Sequence, residues 1–357
     1  MASEERLSKQ EWTERTAAKV ALAQETLAAE VTALQSGEDW QRYLAFQARL
    51  HTYSPNNVML ITAQHAFAYS EGRVGAPEPT YVAGFNTWRA LGRSVDKGQH
   101  GYAVLAPCRY ERQIAVDSHG NARRLSVGEA LAEGEAIERR NVLGGFRIEH
   151  VFDVSQTSGA EVPEPVRPRL LEGQAPQGLG SSVLAMIEDA GYRVDTVASA
   201  AAIGGANGQT DWGQKVVLVR SDMDEAAMVK TLIHEAAHVL LHTGPPGMYL
   251  PRPLKEVEAE SVAYVVASAH GMPTGDYSFP YVASWAGEAG AKAVQATQLR
   301  VARTSRQIIE SSTAPHTGGG RVPGVEAAIT AAQARRAELG ARLVATPDAE
   351  PAAVAVA

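Results

Sequence analysis

The chain has 357 residues, 45% of them hydrophobic and 20% charged, with a formal net charge of −7. That length fits two domains, or one with a large extension, and the acidic balance excludes a polyelectrolyte binder for the chain as a whole. The single cysteine, Cys108, excludes a disulfide framework and fits a reducing compartment. The N-terminal "MASEERLSKQEWTERTAAKV" lacks the apolar core of a secretory signal, and no run approaches the ~18 apolar residues of a membrane span. A cytoplasmic location with no membrane partner is therefore expected.

In chain order, residues 1–36 are rich in Ala, Glu, Lys and Arg and predict a solvated helical extension. "WQRYLAFQARLHTY" and "NNVMLITAQHA" predict two helices split at Ser54-Pro55. The segment after residue 80 predicts a strand, a short helix around Trp88, a glycine turn and the strand "YAVLAP". Further strands are expected at 109–116 and 146–154, where "FRIEHVFDV" alternates. Residues 158–180 have linker composition. Then come the helix "SSVLAMIEDAG", the strands "YRVDTV" and "KVVLVR", and a glycine-rich loop "IGGANGQTDWG" between them. A long helix follows, with Ser221 as its cap and Asp222, Asp224 and Glu225 suiting the positive end of its dipole. Helices are also expected from about Pro253 to His270, over 281–312 and over 324–343, before a low-complexity tail. The fold class is α+β.

The long helix carries "TLIHEAAHVLLHTG". Positions four apart lie one above the other on a helix, so His234 and His238 can offer two imidazoles to one ion, with Glu235 beside them. A catalytic zinc takes three protein ligands and keeps a fourth position for water. A histidine six residues past the second is ruled out, since position 244 is Gly. His242 lies a further turn along the axis, about 6 Å, too far to share the ion, and reads instead as a helix-end histidine near the last carbonyls. The following helix offers Glu256, Glu258 and Glu260. Helical spacing puts Glu256 and Glu260 on one face and turns Glu258 about 160° from Glu256. Glu256 is the expected third ligand; Glu260, one turn on, would orient a ligand histidine, with His242 a further outer residue.

"HEAAHVLLH" followed by "KEVEAESVAYVVASAHG" resembles the ImmA/IrrE-type metallopeptidases. "YSPNNVMLITAQ", "YVAGFNTWRALGRSVDKGQHGYAVLAP" and "VFDVSQTSG" resemble the N-terminal single-stranded-DNA-binding domain of ArdC-type antirestriction proteins, and "FPYVASWAGEAGAKAVQATQ", with Ser284-Trp285, resembles their C-terminal part. Together these cover about residues 36–312. The resemblance implies a bacterial protein of plasmids, phages or integrated elements, and two glutamates four apart matching Glu256 and Glu260. It implies a single-stranded-DNA-binding domain over 37–157, a linker over 158–180, a zincin-like metallopeptidase domain over 181–312, and a helix and tail over 313–357. The activity expected is peptide hydrolysis by a Zn2+-activated water with Glu235 as general base. Its substrate would be an unidentified protein, such as a repressor or host defence protein, and the extended substrate would pair with "KVVLVR" as an edge strand. The alternative is a non-catalytic single-stranded-DNA-binding protein that shields DNA from host nucleases, its metal site structural or vestigial.

Over 40–112 there are eight basic and four acidic residues, 8 − 4 = +4. A single-strand binder needs such a positive groove with stacking platforms. Arg89, Arg93 and Lys97 are the candidate phosphate contacts, and Trp88 and Phe85 the candidate stacking residues.

Overall fold

The computed structural model describes residues 9–126, 129–162, 173–275, 277, 279, 282–322, 325, 327–331 and 333–334. The first helix, α1 (Lys9–Ala33), is not solvated all round: Ala23, Leu27 and Val31 recur every four residues and are buried with Leu34. Helix α2 (Gly37–Arg49) opens on a capping box, in which Ser36 Oγ accepts from Asp39 N and the Asp39 carboxylate accepts from Ser36 N. Helix α3 (Pro55–Ser70) is capped by Ser54, and Pro55 occupies a first-turn position where its missing N–H costs no helix bond.

Next come β1 (Val82–Gly84), α4 (Phe85–Ala90), β2 (Arg93–Val95), β3 (Tyr102–Val116), β4 (Ala122–Arg124), β5 (Ala136–Asp153) and β6 (Thr157–Gly159). The two strands expected at "YAVLAP" and 109–116 are one, interrupted by a bulge between Cys108 and Arg109, and the strand expected at 146 begins at Ala136. The antiparallel sheet runs β1-β5-β3-β4, and β2 pairs with β6. At its base Tyr102, Val104 and Val151 pack on Leu50, Val58 and Ile61. There the open edge of β3 is closed by side-chain amides from α3. Asn57 exchanges both hydrogen bonds with the Leu105 backbone (2.9 and 3.2 Å), and Gln64 does so with Ala103 (2.8 and 3.0 Å). Beyond the bulge β3 and β5 run on as a largely exposed ribbon.

The second half contains α5 (Leu179–Asp189), β7 (Arg193–Val197), β8 (Gly208–Asp211), β9 (Val216–Arg220), α6 (Glu225–His242), α7 (Arg252–Ala269) and α8 (Val282–Ser311), the last interrupted at the non-helical Gly290. The sheet order is β7-β9-β8, with β7 parallel and β8 antiparallel to β9. Two expectations are corrected here. The glycine-rich segment contains β8, so "KVVLVR" is the central strand rather than an edge. The cap of α6 is Asp224, whose Oδ1 accepts from Ala227 N at 2.7 Å, not Ser221. The helix expected over 324–343 and the tail lie mostly outside the described residues, as does 163–172 of the expected linker.

Helix α7 is central. It packs against α2, α6 and α8 and is buried from Leu254 to Ala269 on almost every side. One apolar cluster runs from Leu27 and Val31 through Trp40 and Leu44 to Val262, Val266 and Ile308. The fully buried Trp40 donates its indole N–H to Ser261 Oγ at 2.8 Å, tying α2 to α7. Among the described residues no helix is long and apolar enough to cross a membrane.

Candidate metal centre

Helices α6 and α7 bring His234, His238 and Glu256 together. His234 Nε2 lies 3.1 Å from His238 Nε2, and Glu256 Oε2 lies 3.5 and 3.6 Å from the two nitrogens. Three ligands held tetrahedrally at about 2.0–2.1 Å from one ion stand about 3.3–3.4 Å apart, so the three edges fit such a set. These are the residues whose ligand atoms cluster in metal-binding fashion among the described residues.

The electrostatics agree with the geometry. Burial alone would lower the His234 pKa, but hydrogen bonds to Glu256 and Glu260 and the charge of Glu235 push it up to about 10. The Glu256 carboxyl is held well below the usual range, chiefly by His234 and His238. The site thus attracts positive charge at the point where the three atoms converge. Glu260 Oε2 accepts from His234 Nδ1 at 3.0 Å, which leaves Nε2 facing the cleft.

Glu235 is buried at 5% exposure, and its Oε2 accepts from Thr210 Oγ1 of β8 at 2.6 Å. Gly208 permits the close approach of β8: a Cβ there would stand 2.8 Å from Glu235 Oε1 and 2.7 Å from Thr231 Cγ2. The cleft holds about 1360 Å³ and is lined by His234, Glu235, His238 and Glu256, by Gly208, Gln209 and Thr210 of β8, and by Trp212. Trp212 stands edge-on to His238, with ring centroids 6.0 Å apart, and carries Lys255 Nζ 5.5 Å from its own ring centroid.

His242 does not face helix-end carbonyls. It is 1% exposed, its Nδ1 is 3.1 Å from His238 Nδ1, and its Nε2 is 3.1 Å from Glu258 Oε2. Glu258, turned away from the cleft as spacing required, is fully buried and meets Arg300 and Thr297 of α8. Burial works to raise its pKa, but the bonds to His242 and Arg300 outweigh this and lower it. Sequence reasoning missed Glu258, Arg300 and Thr210. The i+2 offset of Glu258 was visible, but not that a helix packs on that side.

The candidate DNA contacts divide. Trp88 is fully buried and donates Nε1–H to Phe152 O at 3.0 Å, so it offers no face for stacking. Arg93 is used internally, on Thr157 Oγ1 at 2.8 Å and on the carbonyls of Thr157 and Ala160. Arg89, Lys97 and Phe85 are exposed. Unforeseen aromatics, Tyr110 and Phe146, are exposed on the β3–β5 ribbon, where Arg112 lies over the Tyr110 ring; Arg112 and the exposed Arg109 have no carboxylate partner among the described residues. The motif residues Asp153 and Gln156 are structural: Asp153 accepts from Thr80 N and Ser155 N, and Gln156 bridges to Gln99 and His100. The side chains of Ser284-Trp285 lie outside those described.

The arrangement defines an α+β chain with a histidine–carboxylate metal-type constellation on two adjacent helices. Residues 20–152 match the family model for the N-terminal domain of the anti-restriction factor ArdC, so the stretch from α1 to β5 is an ArdC-like N-terminal domain. An uncharacterized protein of Bacillus anthracis, pXO2-81, is 25% identical over 273 residues, and the match covers 70% of this chain and 43% of that protein. The chain thus spans less than half the length of this relative. Crystal structures of the antirestriction ArdC protein from the R388 plasmid, metal-free and Mn(II)-bound, are similar at 18% and 16% identity, each with a TM-score of 0.42. They cover 72% and 76% of this chain and 83% and 97% of theirs.

Proposed function

We propose that the chain is a metal-dependent peptidase, zinc being the preferred ion, with an N-terminal domain that binds single-stranded DNA, and that it acts in antirestriction. The observation that carries the catalytic part is the triangle of His234 Nε2, His238 Nε2 and Glu256 Oε2, set in a cleft beside the buried Glu235. His234, His238 and Glu256 would hold the ion, which when bound supplies Lewis acidity and an acidic water. Glu235, oriented by Thr210, takes the proton of the attacking water and returns it to the leaving amine. An extended peptide pairs with β8, the strand that both lines the cleft and ends the sheet.

The test is elemental analysis of protein purified without added metal. About one zinc per chain is expected, lost in His234→Ala; no metal in either, even after zinc is supplied, sinks the reading. Glu235→Gln should keep the ion and lose proteolysis.

The second reading, a DNA-shielding protein without catalysis, is favoured by the exposed Tyr110, Phe146 and Arg109 and the half-buried Arg112 on the ribbon, which combine stacking faces with cations. Glu235→Gln would spare that function, and Arg109→Glu with Arg112→Glu would abolish it.

A further inference from the structure

We infer that the buried His242 and Glu258, with the partly exposed Arg300 behind them, form a positioning device that fixes the ring of His238, an assignment resting on the metal-centre reading above. The argument is one of donors and acceptors. To present a lone pair at Nε2, neutral His238 must carry its proton on Nδ1. That Nδ1 lies 3.1 Å from His242 Nδ1, so His242 accepts there and carries its own proton on Nε2. His242 Nε2 lies 3.1 Å from Glu258 Oε2, a carboxylate that can only accept. Glu258 Oε1 in turn accepts from Arg300 Nε at 2.8 Å, from Arg300 Nη2, and from Thr297 Oγ1 at 3.1 Å.

Each link sets the direction of the next. Reversing the row would turn a lone pair of His242 towards the Glu258 carboxylate, two acceptors face to face at sites 0–1% exposed. Only one tautomer of His238 avoids this, and it is the one whose Nε2 faces the cleft. Neither His242, Glu258 nor Arg300 lines the cleft, so the orientation is imposed from α8, behind the site. Fold stability alone does not require the row, because a buried ion pair is often replaceable by apolar side chains at no loss. The two ligand histidines are thus held differently: His234 by the partly exposed Glu260 directly, His238 through a relay of the buried His242 and Glu258, anchored by an arginine.

The first measurement is the nitrogen-15 pattern of the histidine rings in the metal-free wild type, at a pH where His238 and His242 are neutral. The expected result is a proton on Nδ1 of His238 and on Nε2 of His242. A His238 protonated on Nε2 overturns the inference, whatever any variant does. The second is zinc affinity by chelator competition for wild type, His242→Phe and Glu258→Gln, each checked for metal-free fold by circular dichroism. Affinity should fall roughly 10- to 100-fold in folded variants, as for other outer partners of metal-bound histidines. If wild type binds zinc and His242→Phe binds it equally tightly, the relay is overturned and the metal centre stands. If wild type binds no zinc yet shows the expected tautomers, the relay stands and the metal-centre reading fails. Should neither variant fold, the wild-type spectrum decides.

Discussion

Acid should loosen the chain at one identifiable junction. His270, at the C-terminal end of α7, is fully buried: Nδ1–H donates to Val266 O at 2.8 Å, and Nε2 lies 3.2 Å from Ser312 Oγ. The His316 ring lies between it and buried His51 at the end of α2, with centroid separations of 5.6 and 5.8 Å. Burial pushes His270 down to about 4, with His316 and His51 adding to the effect, and burial also lowers His51. A depressed folded pKa means that the unfolded chain binds the proton more readily. The contribution to stability is therefore intact above the unfolded value of about 6.5 and is lost as pH falls from there to 4. From 6.5 to 4.5 is about 2 pH units, and at ~1.36 kcal/mol each the loss is roughly 3 kcal/mol. Urea unfolding at pH 7 and pH 4.5 reads it, with His270→Asn as the comparison, since Asn can keep a donor near Val266 O without titrating. Wild type should lose about 2–3 kcal/mol more than the variant on acidification. Equal losses would refute the reasoning.

Three further outcomes are expected. Trp40→Ala empties a fully buried site and breaks the bond to Ser261, so unfolding free energy should drop by about 3–5 kcal/mol, measured by denaturant titration. Thr210→Val removes the donor to Glu235, and kcat should fall about tenfold, the cost of one ~1.4 kcal/mol hydrogen bond, with metal content unchanged; a fall in metal content instead would make Thr210 part of the binding site. Gly208→Ala forces the Glu235 carboxylate aside, and its activity should drop further than that of Thr210→Val while zinc stays bound.

The parts legible in the sequence were those fixed by local rules. The helix break at Ser54-Pro55 and the His234–His238 spacing state their geometry within four residues, whereas the cap of α6, read at Ser221, falls on Asp224. Glu256 and Glu260 could be placed because their helix is regular. What stayed hidden depends on neighbours distant in the chain. Glu258 reads as a solvated charge until α8 delivers Arg300 from forty-two residues away. Strand β8 has no apolar alternation in "GQTD" and exists because β9 offers it an edge. Arg93 and Trp88 looked available for a ligand because nothing nearby in sequence marks Thr157 and Phe152 as their partners.

The continuous apolar cluster from α1 to α8 bears on how such a chain is inherited. Since Trp40 and Ser261 meet inside it, no crossover between α2 and α7 can exchange one half of the gene without testing a foreign indole against a resident hydroxyl. Lineages that replace the indole at position 40 should carry a matching replacement at 261, a correlated drift linking the N-terminal half to the helix that holds Glu256.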